Sequence, residues 1–172
     1  TPPIDRASRK IMRQTFLEKL SETWMLEPER YIFESSHHIQ LFESNQYIRF
    51  PDGDELIRKM INMGDESPTV LLCMNDLTAI AIMQALQSNG IRIPDKMSVM
   101  GIDNSPFSRA VFPPLTSIDI RTPDLAHLAT DSLLSQLQSD ERHNGISYVV
   151  PHIVERGSIS KLRSEERRVG KE

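Results

Sequence analysis

Two uninterrupted apolar runs, each of strand length and each ending in a polar pair, constrain this chain more than any other feature. Thr69 to Met74 reads TVLLCM and passes directly into Asn75-Asp76. Met97 to Ile102 reads MSVMGI and passes into Asp103-Asn104. Continuous apolar runs suit strands covered on both faces, as in a parallel sheet. Between them, Leu77 to Ser88 is apolar nearly all round and closes at Asn89-Gly90, a helix with Asp76 as its expected cap. Strand, helix and strand at this spacing make a right-handed βαβ unit. Neighbouring parallel strands then set Asn75-Asp76 and Asp103-Asn104 side by side on one rim, where open α/β sheets meet their ligands.

The flanking segments extend an α/β pattern. A helix is expected over 6–25, capped by Asp5, with Met12, Phe16, Leu20 and Trp24 as its buried stripe and Arg13 beside it. Tyr31 to Phe33 and Gln46 to Phe50 have the composition of short strands. A turn at Phe50-Pro51-Asp52-Gly53 opens a helix over 54–63, with Leu56, Ile57, Met60 and Ile61 on one face and Gly64 as its stop. Leu115 to Ile120 is a further strand. Thr122-Pro123-Asp124 starts a helix that runs to about Gln138, with Leu125, Leu128, Leu133, Leu134 and Leu137 expected to face a core. Tyr148 to Val154 is a last strand whose Pro151 suits an edge or a domain crossing.

Composition removes several function classes. The net charge is −4, and without the charged tail residues 1–160 carry 15 Lys and Arg against 21 Asp and Glu, a net of −6. A DNA backbone is then a poor direct partner. Cys73 is the single cysteine and sits in an apolar run, so it reads as a small buried hydrophobe. No apolar run reaches membrane-spanning length. The 7 glycines form no phosphate loop, no nucleophile elbow is present, and His37-His38 have no ligand at metal spacing. Neither an enzyme nor a cofactor is expected.

What remains is the rim. An Asn amide donates and accepts, and a carboxylate accepts two hydroxyl hydrogens. Asn75 and Asp103 together therefore suit a polyhydroxylated small molecule such as a sugar, with an aromatic such as Phe50 or Trp24 on its apolar face. The competing reading is local: a helix cap for Asn75, and a turn-capping side chain for Asp103.

The run from Pro68 to Ile118, with NGIRIPDKMSVMGIDN and FPPLTSI in order, resembles the effector-binding core of LacI/GalR-type transcription regulators. The likeness continues more loosely to HIVERGSI. It implies a Rossmann-like parallel sheet with flanking helices, of the periplasmic-binding-protein-like type I, truncated to one lobe plus part of the other. On that reading residues 4–118 form the C-terminal lobe, 119–149 a piece of the N-terminal lobe and 150–160 a return strand. Residues 161–172 are then a disordered tail, which resembles a translated cloning adapter. The resemblance places effector contacts at Asp103 and Asn75, with Phe50 as a stacking aromatic. The family's first-helix Arg falls at Met12 when counted from Phe16, and Arg13 next to it is the candidate. The family's Gln-Pro after the strand is Ile120-Arg121 here, an atypical hinge. Dimerisation is implied through Ile80, Met83 and Val111. The implied function is ligand sensing for a cytoplasmic, homodimeric repressor. Operator DNA would be reached only through a helix-turn-helix ahead of this chain, and no membrane is involved. A periplasmic sugar-binding component of a transporter shares the fold and is the alternative.

Overall fold

The computed structural model of the chain describes residues 7–22, 27–33, 40–41, 48–49, 53–138 and 145–161. Its centre is the expected strand–helix–strand unit. β3 (Val70–Leu72) and β4 (Ser98–Ile102) pair in parallel, with Val70 opposite Ser98 and Leu72 opposite Met100. α3 (Asp76–Ser88) connects them. β5 (Thr116–Asp119) adds in parallel to β4, and β6 (His152–Val154) adds to β5 as an antiparallel edge. The sheet order is β3-β4-β5-β6. Pro151 stands just outside the edge strand, where the N–H it lacks breaks no ladder. Upstream lie α1 (Ala7–Ser21), a two-residue antiparallel pair β1 (Gln40–Leu41) with β2 (Ile48–Arg49), and α2 (Gly53–Asn62). A single-turn helix, α4 (Phe107–Ala110), sits between β4 and β5, and α5 (Thr122–Gln138) lies between β5 and β6.

One face of the sheet holds the core. Leu71 and Cys73 of the β3 segment meet Ile80, Met83 and Leu86 of α3, with Leu56, Ile57 and Met60 of α2 closing the layer. Each fully buried aliphatic side chain contributes about 1.5–3 kcal/mol by leaving water. α3 is wrapped by β4, α2, α4 and β2, which accounts for its apolar surplus within the chain itself. Ile80 and Met83 are only 1% and 2% exposed. They are core residues, so the expectation that they offer a free dimer face is corrected. Cys73 is buried too, and burial, with the nearby Asp76 charge, pushes its thiol up to about 12. It is therefore unreactive at neutral pH.

On the other face β3 is open among the described residues, whereas Ser98 of β4 and Thr116 of β5 are buried there. Val70 and Leu72 stay 52% and 48% exposed, against the expectation of cover on both sides. α1 makes its main contact with a 3₁₀ turn at Pro28–Tyr31 and has no buried stripe: Phe16, Leu17 and Leu20 are half-buried and Met12 is exposed. α5 runs over the range read from its capping residues, yet none of its residues is buried. Leu133 and Leu137, expected to face a core, are 59% and 74% exposed. Their pattern fits a surface that the described residues do not supply.

Two local expectations also change. Tyr31 to Phe33 is not a strand. Pro28 opens a 3₁₀ turn, and the Ile32 N–H closes it on the Glu29 carbonyl at 3.1 Å, leaving no ladder. In α2, Leu56, Ile57 and Met60 are buried but Ile61 is exposed, one position past the stripe. Gly64 ends that helix at φ +57°, a conformation that costs glycine nothing.

Candidate functional site

The sheet brings both polar pairs to one rim. Cys73 N–H donates to the Met100 carbonyl at 2.8 Å, so the two strands stay in register to their ends. The chain then separates the roles of the four residues in a way that spacing alone could not. Asn75, not Asp76, is the cap of α3: it is extended at φ −161°, and its Oδ1 accepts the Thr78 N–H at 2.8 Å. Asp76 is the first helical residue, 1% exposed, and points into the rim. Its Oδ2 accepts the Ser105 N–H and its Oδ1 accepts the Ser117 hydroxyl, both at 2.6 Å. A carboxylate buried this deeply persists because both oxygens are hydrogen-bonded. Gly101 makes room for it. A Cβ there would lie 2.3 Å from Asp76 Oδ1 and 3.2 Å from the Asp76 Cα.

After β4 the backbone turns through two left-handed residues, Asp103 at φ +113° and Asn104 at φ +53°. For non-glycine residues such conformations cost about 1–3 kcal/mol each and need support from their surroundings. The support is three consecutive N–H groups. Asp103 donates to the Ile118 carbonyl at 2.9 Å, Asn104 to Ser117 Oγ at 3.0 Å, and Ser105 to Asp76. The Asn104 side chain is engaged at both ends: Nδ2 donates to Asp119 Oδ2 at 2.9 Å, and Oδ1 accepts from Arg156 Nη2. Arg156 also donates through Nη1 to the Leu115 carbonyl at 2.6 Å and to Ser108 Oγ at 3.1 Å. Asp119 is held below the ordinary carboxylate value by the Arg121 N–H and then by the Asn104 amide.

Asp103 differs from every other carboxylate on this rim. Its side chain has no hydrogen-bond or ion-pair partner among the described residues, and it faces solvent. Partial burial, and then the charge of Asp76, raise its pKa above the ordinary value. Asp103 thus stands exposed and without a partner among the described residues, on a left-handed turn whose three N–H groups are all held.

The remaining candidates divide. Asn75 stands on the rim with its oxygen committed to the cap, and its amide nitrogen has no hydrogen-bond partner among the described residues. Arg13 is exposed on α1. Phe50 lies outside the described residues, as do Trp24, His37, His38 and the tail from Leu162. Val111 is half-buried and lines a groove of about 260 Å³ with Gln84, Gln87, Ala110 and Phe112, over a floor made by Ile80 and Met83. The sequence placed Asp76 and Asn104 on the rim but not in these bracing roles, and it did not single out Arg156, which HIVERGSI carries just after the last strand and which the sheet order returns to the rim.

Three parallel strands, an antiparallel edge and a polar rim at the strand ends define an α/β ligand-binding domain. The chain matches the periplasmic binding protein-like domain over residues 2–159 and belongs to that family, in the form carried by LacI/GalR-type regulators. It is similar to the HTH-type transcriptional repressor PurR of Aliivibrio salmonicida (strain LFI1238), with 30% identity over 94% of this chain and 45% of that protein. It is similar also to the HTH-type transcriptional regulator GanR of Bacillus subtilis (strain 168), with 31% identity over 92% of this chain and 45% of that one. Among solved structures, the Lac repressor dimer bound to operator and the anti-inducer ONPF superposes with a TM-score of 0.54 at 31% identity. That match covers 62% of this chain and 37% of that one. The chain thus spans under half the length of these relatives.

Proposed function

We propose that this chain is the effector-sensing part of a LacI/GalR-type transcriptional repressor, and that Asp103 is its principal ligand contact. The observation that carries the reading is a rim carboxylate without a partner among the described residues, on the same rim as Asn75 and on a turn whose three consecutive N–H groups are all paired. A carboxylate accepting two hydroxyl hydrogens, with the Asn75 amide as donor, suits a sugar or a similar polyhydroxylated metabolite. Relatives named as HTH-type repressors, and a related repressor solved as a dimer on operator with an anti-inducer, favour a regulator over a transport protein. In that setting the ligand acts by preferring one arrangement of the whole protein over another, and so biases DNA binding by parts outside this chain. No catalytic step is involved, and the working compartment is the cytoplasm. Homodimerisation would use the outer part of the Val111–Phe112 groove, where Phe112 is 86% exposed.

The test is isothermal calorimetry of the full-length protein against a carbohydrate panel, followed by Asp103→Ala. Two hydrogen bonds to a charged group at about 1.5 kcal/mol each correspond to a loss of at least about 100-fold in affinity. The unfolding midpoint should not fall, because Asp103 supports nothing else. Unchanged affinity for the ligand in Asp103→Ala would remove the assignment.

A further inference from the structure

We propose that Asn104, clamped between Asp119 and Arg156, is the positioning residue that holds Asp103 at the ligand rim, and that it ties this carboxylate to both segments where the chain leaves and re-enters the sheet. The proposal rests on Asp103 being the ligand contact, and it adds how that contact is held. Asn104 sits one residue after Asp103, and both are left-handed. Left to itself, such a pair would relax to ordinary backbone and redirect the carboxylate. The backbone hydrogen bonds of 103–105 fix the turn from below, through Ile118, Ser117 and Asp76. The Asn104 side chain fixes it from the side, and its two partners belong to different crossings. Asp119 ends β5 and also accepts the Arg121 N–H at 2.7 Å, at the point where the chain departs into α5 with Arg121 at φ +55°. Arg156 follows β6, which brings the chain back, and its N–H donates to Thr116 Oγ1 at 2.8 Å. A guanidinium suits this position because it donates in a planar fork to Asn104, Leu115 and Ser108 at once. A shift of either crossing pulls on Asn104, and Asn104 can move only with Asp103. Ligand seating and the disposition of the crossings are therefore coupled through one amide.

The experiment uses the 172-residue chain and needs no ligand. Asn104→Gly keeps a backbone at ease with positive φ while deleting the clamp. Amide exchange at Asp103, Asn104 and Ser105 should accelerate tenfold or more, with the Leu86 amide of α3 unchanged. The Asp103 carboxyl, followed by carbon-13 titration, should move down toward the ordinary carboxylate value as it leaves its partly buried place near Asp76. Arg156→Lys should act in the same direction, since one ammonium cannot reach all three acceptors, and it carries the test should Asn104→Gly not fold. Unaltered exchange at 103–105 together with an unaltered Asp103 titration in folded Asn104→Gly would overturn the proposal. The two readings fail separately. A loosened turn with ligand affinity intact in Asp103→Ala removes the effector site alone, whereas a rigid turn in Asn104→Gly with affinity lost in Asp103→Ala removes the clamp alone.

Discussion

Asp103 and Asp76 stand on the same rim with opposite assignments. Asp76 is buried with both oxygens satisfied and serves the structure; Asp103 is without a partner among the described residues and is the proposed ligand contact. Linkage gives this contrast a sign. The Asp103 pKa is raised in the folded chain above its unfolded value of about 3.8. Its protonated form therefore contributes stability that is fully present below that value and is lost as pH rises through the folded pKa. At neutral pH the ionised side chain is a small liability, so Asp103→Asn should stabilise the chain by less than about 1 kcal/mol after solvent screening. Urea unfolding at pH 7 should show the gain, and the same measurement below pH 3.8 should show it vanish. A stabilised variant that has also lost its ligand is the pattern expected of a residue kept for function. A stability loss in Asp103→Asn at pH 7 would mean that the carboxylate has a structural partner.

At the scale of elements, the join between β4 and α3 is the tightest part of the fold. Gly101 lies under the first turn of α3, and the missing side chain there is what lets Asp76 enter the rim. Gly101→Ala would drive a methyl group against a buried carboxyl and the helix backbone, neither of which can swing aside. The expected cost is about 2–4 kcal/mol, from overpacking together with a disrupted buried polar group. Thermal unfolding should register it, and a loss below about 1 kcal/mol would show that the join is plastic. Much of this level was legible in the sequence. The boundaries of α3, β4, β5 and α5 followed from caps, apolar runs and Gly stops. Two features were not legible. Asn75 and Asp76 are both good capping residues, and only backbone direction decided that Asn75 caps while Asp76 turns inward. The all-round apolar character of α3 fitted either another layer or a partner subunit, and packing by α2, α4 and β2 settled it for the layer.

For the whole molecule, the unbalanced surfaces are informative. α5 carries a leucine stripe that nothing described covers, and one face of β3 is open. The α5 stripe is what a helix packing on a second sheet would carry. We propose on this basis that 119–149 belongs with the other lobe. In a sample held monomeric, α5 amides should exchange orders of magnitude faster than those of α3, because its hydrogen bonds lack the packing that stabilises helices of this length. Protection of α5 equal to that of α3 would mean its apolar face is already covered and the division is wrong.

The sequence alone determined the βαβ unit and the arrival of two polar pairs at one rim, because apolar periodicity and local caps are short-range properties that each segment carries by itself. The tertiary structure decided which of four neighbouring polar residues stands exposed without a partner and which brace the turn. That choice depends on Ser117, Asp119 and Arg156, which are distant along the chain and reach Asn104 only when the sheet forms. It also decided where the hydrophobic surplus goes, since burial belongs to the assembled layers rather than to any one segment.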